Sequence, residues 1–195
     1  AMEQRRDLLV PLLVEQFACK GIMNRSDAGV RALEGLPQEK GLLWGSVPDP
    51  VVVREGQLEF AVSLEHGQKT GSFLDQRENR WLAGQVARGR GLDLCCYDGG
   101  FALHMAAACD RVVAVDQSED ALERLARNAE INDRANIEPR AGNVFDVLRD
   151  YDRAGERFDT IVLDPPAFAK NRRSVDRALK GYKEINLRAM KVLAP

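Results

Sequence analysis

The chain has 195 residues, 45% apolar and 30% charged, which is enough for one well-filled core or for one domain with a small companion. Lys and Arg number 28 against 30 Asp and Glu, so the formal charge of −2 excludes the broad basic excess of a self-sufficient nucleic-acid binder. No apolar run approaches the roughly 18–20 residues of a membrane span, and Cys19, Cys95, Cys96 and Cys109 form neither a zinc-ligand spacing nor a feasible neighbouring disulfide. No metal and no membrane are therefore expected, and a reducing, cytoplasmic setting is.

In chain order, Leu8, Leu9, Leu12, Leu13 and Phe17 recur at helical spacing, which predicts a helix over 3–16 interrupted by Pro11. Between Lys20 and Ser63 the texture changes to short β-like runs at 42–44, 51–54 and 58–62, with Glu55-Gly56 as a hairpin turn. A helical pattern follows at Trp81, Leu82 and Val86 and breaks at Arg88-Gly89-Arg90-Gly91. Beyond it, strand-like and helix-like stretches alternate at 92–96, 101–109, 111–115, 119–131, 137–141, 144–151, 158–163 and 172–193. This alternation predicts an α/β fold, a Rossmann-like sheet of about four parallel strands with crossover helices. The organisation expected is a partial α+β domain at 1–66, a linking loop and helix at 67–90, and the larger domain at 91–195. Doubly wound sheets usually have more strands, so further strands are expected beyond Pro195, and an uncovered fourth strand would offer an edge for a homodimer.

The first strand runs into Tyr97-Asp98-Gly99-Gly100-Phe101 at the start of a helix, a step where ligand atoms can approach backbone N–H groups. Val112-Val113-Ala114-Val115-Asp116 then ends the second strand in a carboxylate placed to accept hydrogen bonds from a ribose diol. Either feature alone is more often a plain turn or a cap. In register they point to an adenosine-containing cofactor. The glycine fingerprint of dinucleotide enzymes is missing, with Cys95 and Tyr97 standing where two of its glycines would be, so a pyrophosphate is poorly served. S-adenosyl-L-methionine has no phosphate and needs only one close glycine approach.

Asn143, ending the third strand, reads equally as a helix cap or as a partner for the adenine amino group. The fourth strand ends Leu163-Asp164-Pro165-Pro166-Ala167-Phe168, where two residues without backbone N–H stop the strand and expose Asp164 and Phe168 at the carboxyl edge. Such a turn is either a plain strand stop or the device that nucleic-acid methyltransferases set beside the reacting base. Upstream, the polar stretch at 67–80 is anchored by Phe73 and Leu74 and offers Arg77, or Lys69, to a cofactor carboxylate.

The stretches at 67–80, 92–101 and 163–168, with Gly181-Tyr182-Lys183-Glu184-Ile185-Asn186-Leu187, together resemble the large-subunit ribosomal RNA cytosine-5 methyltransferases, over roughly residues 20–195. The resemblance implies a class I methyltransferase domain, S-adenosyl-L-methionine as cofactor, ribosomal RNA as partner and 5-methylcytosine as product. It also implies an N-terminal PUA module, which this chain lacks. By position it puts Lys69, Thr70, Arg77, Tyr97, Gly99, Phe101, Asp116, Asn143 and Asp164 around the cofactor, with Asp98 and Gly100 completing the loop. Pro165, Pro166 and Phe168 then face the base. Lys170, Arg172, Arg173, Arg177, Lys180 and Lys183 read as an RNA path or as a solvated face. Three residues depart from the family pattern: Cys95 for Phe, Asp98 for a small residue such as Thr, and Asn143 for Asp.

Methylation at C5 of cytosine requires a thiolate to add at C6 first. The resemblance places that cysteine beyond Pro195, so no catalytic residue is expected in this chain, and Cys95, Cys96 and Cys109 read as packing residues. Two competing readings remain: an NAD-type oxidoreductase on a Rossmann-like sheet, and a non-catalytic RNA-binding or assembly factor with a degenerate pocket.

Overall fold

The structure, a computed structural model, describes residues 3–67, 71–169 and 172–195. It divides into two compact units, one of residues 1–53 with 60–74 and the other of 54–59 with 75–195.

In the first unit, helix α1 (Arg6–Phe17) runs through Pro11 without a break and ends at Ala18, whose left-handed backbone (φ 46°) returns its N–H to the carbonyl of Val14. Leu8, Leu12, Leu13 and Phe17 are exposed, so the helical spacing was real but its apolar residues are not buried. Strand β1 (Gly21–Ser26) pairs antiparallel with β2 (Glu39–Gly45). The sequence of β1, Gly-Ile-Met-Asn-Arg-Ser, has too little alternation to be read as a strand, and its partner defines it. Arg25 in β1 donates to the carbonyls of Leu64 (2.6 Å) and Gly67 (2.9 Å), tying the later segment down. Strands β3 (Val51–Glu55) and β4 (Leu58–Val62) form the expected hairpin, with Gly56 at φ +63° in its turn, which falls among the residues of the second unit.

The second unit holds α2 (Arg77–Val86), β5 (Gly89–Leu94), α3 (Gly100–Met105), β6 (Cys109–Asp116), α4 (Glu119–Ile131), β7 (Ile137–Ala141), α5 (Val144–Ala154), β8 (Thr160–Leu163) and α6 (Val175–Val192). Its sheet is four-stranded and parallel, in the order β7-β6-β5-β8. The chain moves outward from β5 through β6 to β7, then returns to the other side of β5. Strand order therefore reverses beside β5, and ligands of open α/β sheets bind beyond the carboxyl ends of the strands at such a point.

Both faces of the sheet are covered. Leu92, Leu94, Val113 and Val115 pack against Val147, Leu148, Ile185 and Val192 from α5 and α6. Val112 and Ala114 face Ala102, Met105, Leu122 and Leu125 from α3 and α4. This explains the unbroken apolar run of β6, since a strand buried on two faces has no polar side to alternate with. Helix α4 begins where Ser118 accepts a hydrogen bond from the N–H of Ala121, and Glu119 and Asp120 occupy its first turn. It buries the stripe of Ala121, Leu122, Leu125 and Ala129.

Strand β8 is shorter than the sequence predicts, because Phe158 pairs elsewhere. Its N–H donates to Val192 (2.9 Å) and its carbonyl accepts from Ala194 (2.8 Å), forming a parallel bridge with Leu193. The segment after α6 thus takes part of an edge expected to lie open. Among the described residues no helix is long and apolar enough to cross a membrane.

Phe158 is fully buried, edge-on to Tyr151 at 5.0 Å, with the Arg90 guanidinium 4.4 Å from its ring centre. Replacing Phe158 with Ala is expected to lower unfolding stability by about 3–5 kcal/mol, measured by urea titration. A loss below about 1 kcal/mol would contradict its place in the core.

Candidate functional site

Between Leu94 and Gly100 the backbone is bent into left-handed geometry at three alternate residues: Cys95 (φ 66°), Tyr97 (φ 51°) and Gly99 (φ 86°). Cys95 and Tyr97 stand where a dinucleotide fingerprint would have glycine, and they adopt the conformation glycine would supply. For a residue with a Cβ this costs on the order of 1 kcal/mol or more, so the surroundings must impose it. They do so through hydrogen bonds: Cys96 N–H to Val115 O (3.0 Å), Tyr97 N–H to an Asp116 carboxylate oxygen (2.9 Å) and Gly99 N–H to Cys96 O (2.9 Å). The two glycines also serve the protein's own packing. A Cβ on Gly99 would fall 2.7 Å from Cγ of Leu125, and one on Gly100 would fall 2.6 Å from Cδ of Arg80.

Asp116, at the end of β6, receives Tyr97 N–H on Oδ2 and Ser118 N–H (3.0 Å) on Oδ1. One carboxylate thus closes the loop after β5 and starts the turn into α4. Each oxygen keeps a lone pair that can accept a hydroxyl. The ring of Tyr97 lies 5.2 Å from the Arg124 guanidinium.

Asp93 is a buried carboxyl beneath the loop that the sequence reading passed over. It lies in the middle of β5, 1% exposed, where Oδ2 accepts the N–H of Ala102 (2.9 Å) and Oδ1 has no partner among the described residues. Burial pushes its pKa up to about 7, and the carboxylates of Asp164, Asp116 and Asp98 push the same way. A lone carboxylate in the apolar run Leu92-Asp93-Leu94 was visible in the sequence. A buried, unpartnered acceptor ringed by acidic groups suits a cationic ligand, and S-adenosyl-L-methionine carries a sulfonium and an ammonium.

Asp98 is itself buried, and its pKa is raised to about 6 by burial, with Arg80 and Arg124 opposing. The two guanidinium groups thus offset part of what burial costs this carboxyl. Beside it, Arg80 makes a two-pronged pair with Glu55 (2.9 and 2.6 Å), and His104 Nε2 lies 3.0 Å from the same carboxylate. Burial holds the His104 pKa below its ordinary value despite that carboxylate. These partners are 25 and 49 residues apart in sequence, with no local pattern to connect them.

Of the other expected site residues, Asn143 caps α5, its Oδ1 accepting the N–H of Phe145 (2.9 Å), and its side chain is exposed. Gly142 N–H donates to Asp116 O (2.9 Å), so the ends of β6 and β7 are joined. Asp164 and Pro166 are exposed beyond β8, Pro165 is half-buried, and Phe168 is half-buried with its ring stacked on Tyr182. Phe101 is half-buried against the core at the start of α3. Arg77 is exposed at the first position of α2, and Arg172, Arg173, Arg177, Lys180 and Lys183 are exposed at and along α6. Lys69, Thr70 and Lys170 lie outside the described residues.

Burial pushes the Cys95 thiol up to about 12, and it raises Cys96 and Cys109 as well, so these three remain protonated at neutral pH. In the first unit Asp49, Glu65 and His66 bring ligand atoms within 4.8 Å, all exposed.

Residues 25–195 match the sequence model of a family described as S-adenosylmethionine-dependent methyltransferase. The chain is 41% identical over 197 residues to Ribosomal RNA large subunit methyltransferase I of Pseudoalteromonas atlantica, which covers 99% of this chain and 50% of the relative. The chain thus spans about half the length of the curated relatives it matches. Among solved structures, a methyltransferase complexed with SAH is 26% identical, with a TM-score of 0.70 covering 80% of this chain and 42% of that one. The SAM-dependent methyltransferase from Agrobacterium tumefaciens shares the fold, with a TM-score of 0.73 at 18% identity over 91% of this chain and 56% of its own.

Asp93 and Asp98 make stability fall as pH rises, while His104, whose pKa burial lowers, works the other way. A carboxyl whose folded pKa lies above its unfolded value destabilises the folded state as pH rises from about 4 to that folded pKa. For Asp93 the window closes at about 7, and for Asp98 at about 6. Stability is expected to fall between pH 5 and pH 7, by at most about 3 kcal/mol from Asp93 alone, and to level off above. The Asp93→Asn variant should show a flatter profile over this window in urea titrations. An identical slope in the two proteins would contradict the raised pKa.

Proposed function

The chain belongs to the S-adenosylmethionine-dependent methyltransferase family, and on that premise we propose that it holds S-adenosyl-L-methionine at the 95–100 loop for methylation at C5 of a cytosine in large-subunit ribosomal RNA. The observation that carries the reading is the strained loop fastened to Asp116, together with the unpartnered carboxylate oxygen of Asp93 on the strand that leads into it. The 41% identical relative named for ribosomal RNA supports the substrate, and the cytoplasm is where that substrate is met.

When bound, the cofactor supplies an electrophilic methyl group on a sulfonium. The chain's own residues bind and orient. Asp116 accepts ribose hydroxyls on the lone pairs left by its two backbone hydrogen bonds. Asn143 keeps one Oδ1 lone pair for the adenine amino group while the other caps α5. Tyr97, Asp98, Gly99, Gly100 and Phe101 shape the loop, while Arg77 meets the methionyl carboxylate, a part of the site to which the resemblance also assigns Lys69 and Thr70. Asp164, Pro165, Pro166 and Phe168 form the wall against the base, and the exposed cations of α6, with Lys170, meet RNA phosphate. The thiolate that activates cytosine is supplied by none of Cys95, Cys96 and Cys109, all of which burial keeps protonated. As the resemblance implies, we assign it to a cysteine outside these 195 residues.

A ligand that binds only the folded state raises its stability by about 2.7 kcal/mol at a hundredfold excess over Kd. Scanning fluorimetry is therefore expected to show a rise of several degrees in Tm with S-adenosyl-L-methionine or SAH and none with NAD. With methyl-labelled cofactor and large-subunit ribosomal RNA, the chain by itself is expected to transfer no label. A Tm that responds to NAD alone would overturn the cofactor assignment, and label transfer by these 195 residues would overturn the assignment of the thiolate.

A further inference from the structure

We propose that Gly181 and Tyr182 of α6 form a seat that fixes the Phe168 ring for stacking on the substrate base, making Tyr182 a positioning residue. The inference rests on the reading of the preceding section, to which it adds the residue that aims the base-facing wall.

Pro165 and Pro166 have no backbone N–H, so neither can donate a backbone hydrogen bond to fix the turn. Soon after them, Phe168 N–H donates to the Tyr182 hydroxyl at 3.2 Å. The two rings stack, with centroids 4.5 Å apart and planes inclined by 29°. Gly181 makes the approach possible, because a Cβ there would lie 3.1 Å from Cδ2 and 3.4 Å from Cε2 of Phe168. Phe145, at the start of α5, closes the cluster at 6.1 Å from the Phe168 ring.

The seat is rigid because of where it lies on α6. Ala178, Tyr182, Ile185, Ala189 and Val192 recur at intervals of three and four residues, and all of these except Tyr182 are buried. Tyr182 is the half-buried member of the stripe that anchors α6 to the sheet, and it sits at the carboxyl edge beside the loop after β8. Phe168 keeps partial exposure. A ring held by one stacked partner and one backbone hydrogen bond is pre-oriented, so a base that stacks on it need not order it first.

Two measurements on the chain test this. In hydrogen exchange read by mass spectrometry, Tyr182→Phe keeps the ring but loses the acceptor, and exchange in the peptide containing Phe168 should quicken about tenfold with other core peptides unchanged. In anisotropy titrations with SAH present, a short cytosine-containing RNA should bind about tenfold tighter than the same strand with that base removed. This preference should vanish in Phe168→Ala and fall severalfold in Tyr182→Phe and Tyr182→Leu, while SAH affinity holds. Unchanged exchange in Tyr182→Phe overturns the seat. Quickened exchange with the full preference retained overturns its role in aiming the ring. Absence of the preference in the unaltered chain overturns the base-stacking reading of Phe168 itself, leaving the exchange result to decide the seat. If Tyr182→Leu does not fold, Tyr182→Phe decides alone.

Discussion

Everything at the carboxyl edge of the sheet depends on the Asp116 carboxylate collecting two backbone amides, those of Tyr97 and Ser118. Strands β5 and β6 bring the two segments alongside, but parallel pairing ends with Leu94 opposite Val115. Past that point Asp116, the Cys96–Val115 hydrogen bond and the Asn128 amide, which donates to Asp98 O at 3.2 Å, hold the loop in place. The left-handed geometry of Cys95 and Tyr97 is strain that persists because these contacts over-determine it. The same carboxylate ends β6, closes the loop and starts the turn into α4, so three local structures share one group.

Beneath the loop the chain accepts a second cost. Asp93 is buried with one oxygen unpartnered, and Asp98 is buried within reach of Arg80 and Arg124. A carboxylate kept away from water is unfavourable unless a ligand or a proton compensates it. The pair formed by Arg80 and Glu55, with His104 beside it, packs against the start of α3 at Gly100. The arrangement leaves Asp93 as the acidic group still lacking a full set of partners, as expected where stability is given up for binding. A cationic cofactor placed near it would restore what burial removes.

The larger unit was legible in the sequence because local chemistry marks each step. The bounds of α4 and β7 coincide with the expected 119–131 and 137–141: Ser118 caps one, and the other runs from Ile137 to the turn at Gly142. The loop at 97–101, the acidic end of β6 and the Asp-Pro-Pro turn were likewise visible as short patterns. What escaped has non-local causes. Strand β1 is a strand only because β2 lies beside it. Phe158 read as part of β8 until residues after α6 claimed its backbone. Glu55, Arg80 and His104 meet through tertiary packing alone. Tyr182 sat within a recognised stretch whose meaning depended on a ring fourteen positions earlier. Asp93 is different: it was in plain view, a polar residue at a core position, and such local conflicts tend to mark functional sites.

The central claim is that a cationic adenosine cofactor binds at the loop between β5 and α3. The most direct measurement is the change in backbone amide NMR shifts of the chain on titration with SAH. The account predicts the largest shifts at Tyr97, Gly99, Phe101, Asp116 and Asn143, saturating together, with the hairpin tip around Gly56 undisturbed. Saturable shifts centred on that tip and residues 131–134, with the loop at 95–100 unmoved, would contradict it.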